Sequence, residues 1–143
     1  MRRWILDILI AAEDAPAARE RPQRAGYQYL QELTGGGSAW RSPEGVEVDV
    51  LESSEPWVTQ ALAEAQQNLD LQGLPILPLP YFVLMKLRSS RVRDVADLAQ
   101  MLGQAGEDQL AEVRRVVEAF EPDALEDLES LIMLGRMETE EPK

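Results

Sequence analysis

The chain has 143 residues, 45% of them hydrophobic, enough to bury one sizeable core within a single domain. A net charge of −12, from 26 acidic against 14 basic residues, excludes a broad basic groove, so long nucleic acid is not an expected ligand. Cysteine and histidine are both absent, which removes disulfides, thiolate nucleophiles, ordinary zinc sites and histidine acid–base catalysis, and leaves carboxylates, lysine, arginine and hydroxyls to carry any chemistry.

The N-terminus reads Arg2-Arg3-Trp4 and then Ile5-Leu6-Asp7-Ile8-Leu9-Ile10, charged and then apolar like an export signal. Asp7 and the shortness of the run count against export, so the reading is a buried strand over residues 4–12 in a cytoplasmic protein with no membrane association. A helix is predicted from Ala15 to Leu33, interrupted early by Pro16 and Pro22 and stopped by Gly35-Gly36-Gly37. Ser38 to Arg41 and Val46 to Leu51 fit a hairpin turned by Ser42-Pro43-Glu44-Gly45. Its second strand alternates, with Val46, Val48 and Val50 on one face and Glu47, Asp49 and Leu51 on the other. Ser53 or Ser54 caps a helix over Pro56 to Asn68, and Gly73 to Pro78 forms an extended segment that its prolines confine to a sheet edge.

From Pro80 onward the pattern is helical. One helix runs from Pro80 to about Leu102, bent or broken near Ser89-Ser90, with Leu84, Leu87, Val95, Leu98 and Leu102 as its buried stripe. A second runs from Gly106 or Asp108 to Phe120, and a third from Pro122-Asp123 to Leu134, ended by Gly135. Beyond it lies an acidic, frayed tail. The expected organisation is one α+β domain over residues 1–143, with a sheet-and-helix part over 1–79, C-terminal helices over 80–135 and the tail over 136–143.

The residues that call for a chemical explanation are the fixed charges set in apolar surroundings: Asp7 in Leu-Asp-Ile, Asp49 in Val-Asp-Val, and Lys86, Arg93, Asp94 and Asp97 in the helical half. In this order they resemble the small nucleotidyltransferases of the polymerase-beta-like superfamily, in particular the toxin group related to abortive-infection proteins, over about residues 4–135. The resemblance implies a small mixed β-sheet with flanking helices. It also implies a Gly-Ser turn, an Asp-x-Asp on one strand and a third carboxylate on a neighbouring strand, holding magnesium against nucleotide phosphates. Asp49 matches the third carboxylate and Asp7 the second of the Asp-x-Asp pair, which makes both the metal ligands. The first member falls on Ile5, and the Gly-Ser turn that should precede it has no counterpart. Lys86-Leu87 followed by Arg93-Asp94-Val95-Ala96-Asp97 resembles the helical motif of the toxin-like enzymes. There Lys86 and Arg93 would meet nucleotide phosphates, and Asp94 would help orient the nucleophile or the helix.

A second alignment takes Gly37-Ser38 as the phosphate turn and Glu47-Val48-Asp49 as an intact dyad. It requires a helix across Ala39 to Val46, where Pro43 and Gly45 favour the hairpin instead. Each position also has a plainer explanation: Lys86 with Asp94 as a rim ion pair, Asp97 as an exposed polar residue, Glu47 and Asp49 on a solvated face, Asp7 at an edge beside an arginine. The tryptophans and tyrosines read as packing, with Tyr81 alone placed to stack on a base. The function expected is that of a reduced nucleotidyltransferase-like chain with weak magnesium and nucleoside triphosphate binding, acting as a binding module for a protein partner. The alternative is an active magnesium-dependent enzyme transferring a nucleotide to a protein, tRNA or small-molecule hydroxyl, or a gene whose true start lies upstream of Met1. A missing first strand would leave the edge beside Ile5 to Ile10 open, hence an expected homodimer.

Overall fold

In the computed structural model, which describes residues 5–88 and 92–140, the strand signals of the N-terminal half become one mixed four-stranded sheet. Its strands are β1 (Ile5–Ala11), β2 (Gln28–Glu32), β3 (Gly37–Arg41) and β4 (Glu47–Ser53), in the spatial order β1-β4-β3-β2. β1 runs parallel to β4, while β3 is antiparallel to both its neighbours. The α-helices are α1 (Ala15–Arg24), α2 (Val58–Ala65), α3 (Leu79–Leu87), α4 (Val92–Gln104), α5 (Glu107–Phe120) and α6 (Leu125–Glu140). The fold is α+β, as the segregation of strand and helix signals implied. The chain divides into two compact units, Met1–Leu62 and Ala63–Lys143.

In the first unit, strand alternation puts Trp40, Val48 and Val50 on one face, where they are buried and where Ile10 and Tyr27 pack against them. Burying side chains of this kind contributes about 1.5–3 kcal/mol each, so this cluster fixes the register of β3 on β4. The hairpin expected at Ser42 to Gly45 is present: Ser42 N–H donates to Val46 O at 2.8 Å, and Gly45 N–H to Ser42 O at 2.9 Å. Val46, however, belongs to the turn and is exposed.

The helix expected to reach Leu33 ends at Arg24, and Gln28–Glu32 is a strand instead. Gly26, at φ +81°, turns the chain out of α1. The following residues then gain ladder hydrogen bonds and cross-strand contacts on β3, including Tyr29 edge-on to Trp40 at 5.4 Å between ring centroids. That non-local pairing outweighs the helical preference of Gln-Tyr-Leu-Gln-Glu. The three glycines are therefore the β2–β3 connection and the start of β3 rather than a helix stop. Gly37 is required there: it sits at φ +124°, and a Cβ would lie 2.1 Å from Val50 O.

β1 differs from the expected buried strand. It is an end strand whose first four described residues, Ile5 to Ile8, are exposed. Residues 73–78 also differ, forming no strand of the sheet. They belong to a loop closed by a single bridge between Leu69 and Pro75, with Asp70 Oδ1 accepting from the N–H groups of Gln72 (2.8 Å) and Leu74 (2.9 Å).

In the second unit α4 packs along α6 and α3 against α5. Tyr81, Val83, Leu84, Leu98, Leu102, Leu110, Val113, Val117 and Leu128 are fully buried. Of the expected stripe, Leu84, Leu98 and Leu102 are buried and Leu87 is half-buried, while Val95, near the start of α4 and one turn before Leu98, is exposed. The expected break at Ser89-Ser90 falls outside the described residues. Gly135 does not end the third helix. It lies inside α6, where a Cβ would sit 1.9 Å from Ala99 O, so it serves the close approach of α6 to α4 and not a C-cap. The helix accordingly continues through Glu138 to Glu140, which were expected to fray.

Candidate functional site

Parallel pairing sets Ile5 opposite Glu47 and Asp7 opposite Asp49. Residues directly opposite in paired strands point to the same face, so the two carboxylates stand abreast, on the face away from Trp40, Val48 and Val50. Glu47 shares that face, and Arg41 Nη2 lies 3.8 Å from its Oε1. Asp7, Glu47 and Asp49 all have interaction partners. Among the described residues, no group of three or more aspartates and glutamates is placed to hold a metal ion. The position beside the Asp7–Asp49 pair where the resemblance asks for another carboxylate is Ile5, an aliphatic side chain that offers no ligand.

The alternative phosphate turn is overturned by the same geometry. Gly37-Ser38 opens β3 and not a helix, and Ser38 is 0% exposed, its hydroxyl accepting from Trp40 Nε1 at 2.8 Å. Buried backbone committed to a sheet ladder has no N–H groups to wrap around a phosphate.

In the second unit Lys86 Nζ lies 3.0 Å from Asp94 Oδ1 and 5.4 Å from the centroid of the Phe82 ring. Lys86 stands in the last turn of α3 and Asp94 in the first turn of α4, so each charge also complements its own helix dipole. Both are largely buried, the side chains 18% and 7% exposed, which makes the pair more enclosed than a rim pair. Asp97 is exposed. The Arg93 side chain lies outside the described residues. Tyr81, expected as a platform for a base, is 0% exposed and donates its hydroxyl to the Glu64 carboxylate. Asp7 and Asp49 thus belong to one unit, and Lys86 and Asp94 to the other.

One cluster escaped the sequence reading. Arg19 on α1 donates to Glu32 on β2 through both terminal nitrogens, at 2.9 and 2.7 Å, and to Glu52 on β4 through Nε at 2.8 Å. The Tyr29 hydroxyl adds a 2.5 Å bond to Glu32. The guanidinium, followed by that hydroxyl, holds the Glu32 carboxyl down to about 2, while Glu32 in turn raises Tyr29 above its ordinary value. Arg19, Tyr27, Tyr29 and Trp40 line a groove of about 400 Å³ here. With Glu32 assigned to a helix, nothing in the sequence pointed to this meeting.

No protein-family model matches the chain, and no curated protein matches it in sequence. Among the described residues no helix is long and apolar enough to cross a membrane.

Proposed function

We propose that this is a reduced nucleotidyltransferase-like protein of the toxin type, with weak or no catalysis, which acts in the cytoplasm as a homodimeric binding module for a protein partner. The observation that carries the reading is the pair Asp7 and Asp49, abreast on one sheet face with Ile5 in the place of the first Asp-x-Asp carboxylate and with Glu47 on that face beside Arg41. One or two carboxylates with substrate phosphates suffice for a single magnesium, but the two-ion arrangement that the resemblance asks for needs the carboxylate that Ile5 replaces, which leaves one metal site incomplete and metal–triphosphate binding weak. The phosphates have no cradle of backbone amides at Gly37-Ser38, and Lys86 is already committed to Asp94.

Calorimetry with magnesium and each of the four nucleoside triphosphates should give millimolar affinity at best, with Lys86→Ala and Asp49→Asn changing it little. Micromolar binding of magnesium-nucleotide would overturn the reading. So would transfer of radioactive nucleotide to a tRNA or protein that Asp49→Asn abolishes, a result that restores the active enzyme.

A further inference from the structure

Among the described residues β1 is an end strand of the sheet, paired with β4. Its far side presents a row of backbone N–H and C=O groups, an arrangement that templates the addition of another strand. Beside that edge Ile5, Leu6 and Ile8 are 38%, 55% and 40% exposed, a large share for aliphatic side chains in a sheet. We infer that a second copy of this chain adds there, its β1 antiparallel to the first about a two-fold axis through Ile8, so that the two sheets become one. The inference rests on the homodimer part of the proposed function and is independent of its nucleotide part.

The register follows from the pattern of β1 itself. A two-fold axis normal to the sheet keeps each face continuous and pairs odd positions with odd and even with even. Centred on Ile8, it sets Leu6 opposite Ile10 of the second copy, Ile8 opposite its own mate and Ile10 opposite Leu6. This aliphatic row extends the face that already holds Trp40, Val48 and Val50. On the other face Ile5 meets Ala11, and Asp7 meets Leu9. Every residue from Ile5 to Ala11 is then paired, and neither Asp7 faces a like charge. Centring on Asp7 would bring the two carboxylates directly opposite each other, which is destabilising. Centring on Leu9 would leave Ile5 and Leu6 unpaired and still exposed.

The chain has no cysteine, so an introduced thiol is unique and reports the register directly. Light scattering of the native protein at micromolar concentration should give twice 16.0 kDa. Ile8→Cys should form a covalent dimer on mild oxidation, since directly opposite Cβ atoms lie about 5 Å apart. Leu6→Cys should not, because its mate stands four residues along the strand, about 13 Å away. Ile8→Lys should reduce the mass to that of one chain while keeping the far-ultraviolet circular dichroism of the native protein. If that variant unfolds, the two thiol variants still decide. A native monomer, or a dimer in which Leu6→Cys links as readily as Ile8→Cys, overturns the inference. A native dimer that binds nucleotide tightly would leave it standing and remove only the binding-module reading.

Discussion

Arg19 shows how a single side chain can join three elements: it is on α1 and its carboxylate partners are on β2 and β4. The bidentate fork to Glu32 and the additional bond to Glu52 form a network rather than one exposed pair, which is the condition under which surface charges contribute measurably. Glu32 sits at about 2 in the folded protein against an ordinary 4.5. Between those values the unfolded chain binds the proton and the folded one does not. The contribution is therefore present above about pH 4.5 and lost as the pH falls toward 2. Thermal unfolding followed from pH 7 to pH 2 should show the native Tm dropping through this window. Glu32→Gln should start lower at pH 7 and fall less across it. Parallel curves for the two proteins would refute the role given to Arg19.

Among the elements, the crossing of α4 and α6 brings backbone directly against backbone. A Cβ on Gly103 would lie 2.3 Å from Gly135 O, and one on Gly135 would lie 1.9 Å from Ala99 O and 2.8 Å from Gly103 N. The obstructing atoms are backbone, which cannot swing aside as a side chain would. Added methyl groups in well-packed interiors commonly cost about 1–3 kcal/mol, and Gly135→Ala is expected at or above the top of that range. Urea denaturation should show the loss as a lower midpoint at an unchanged slope. Gly35→Ala serves as the comparison, since nothing lies within 4 Å of a Cβ there, and it should cost little. Equal stabilities for the two variants would mean that α6 can retreat from α4 freely. The Lys86–Asp94 pair works at the same scale, tying the end of α3 to the start of α4.

For the molecule as a whole the governing quantity is the net charge of −12. Acidic residues outnumber basic ones by 26 to 14, so the ion pairs of Arg19, Arg41, Arg114, Arg115 and Arg136 leave a surplus of mutually repelling carboxylates. Folding brings these charges together, and screening relieves the repulsion. Raising the salt from about 0.01 M to 0.15 M shortens the Debye length from about 30 Å to about 8 Å. The Tm measured by calorimetry should therefore rise over this range. A fall would mean that the surface ion pairs, which salt weakens, outweigh the net charge.

Where the relevant energies are local, the sequence alone settled the structure. The alternation through Val48 and Val50 and the Pro43-Glu44-Gly45 turn were enough for the β3–β4 hairpin, and helical periodicity with Gly106 and Pro122 placed α5 and the start of the last helical segment. The resemblance set Asp7 and Asp49 on a common face, and parallel register puts them opposite each other. The remainder was decided by tertiary structure. Gln28 to Glu32 has helix-forming residues and becomes a strand because β3 supplies it with partners. Gly135 looks like a helix stop and lies within α6 because α4 passes so close. Tyr81 looks available to a ligand and is buried with its hydroxyl on Glu64, and Arg19 gathers carboxylates distant from it in sequence. Propensity and periodicity act over a few neighbouring residues and can be read along the chain, whereas pairing and close approach depend on which distant segment arrives.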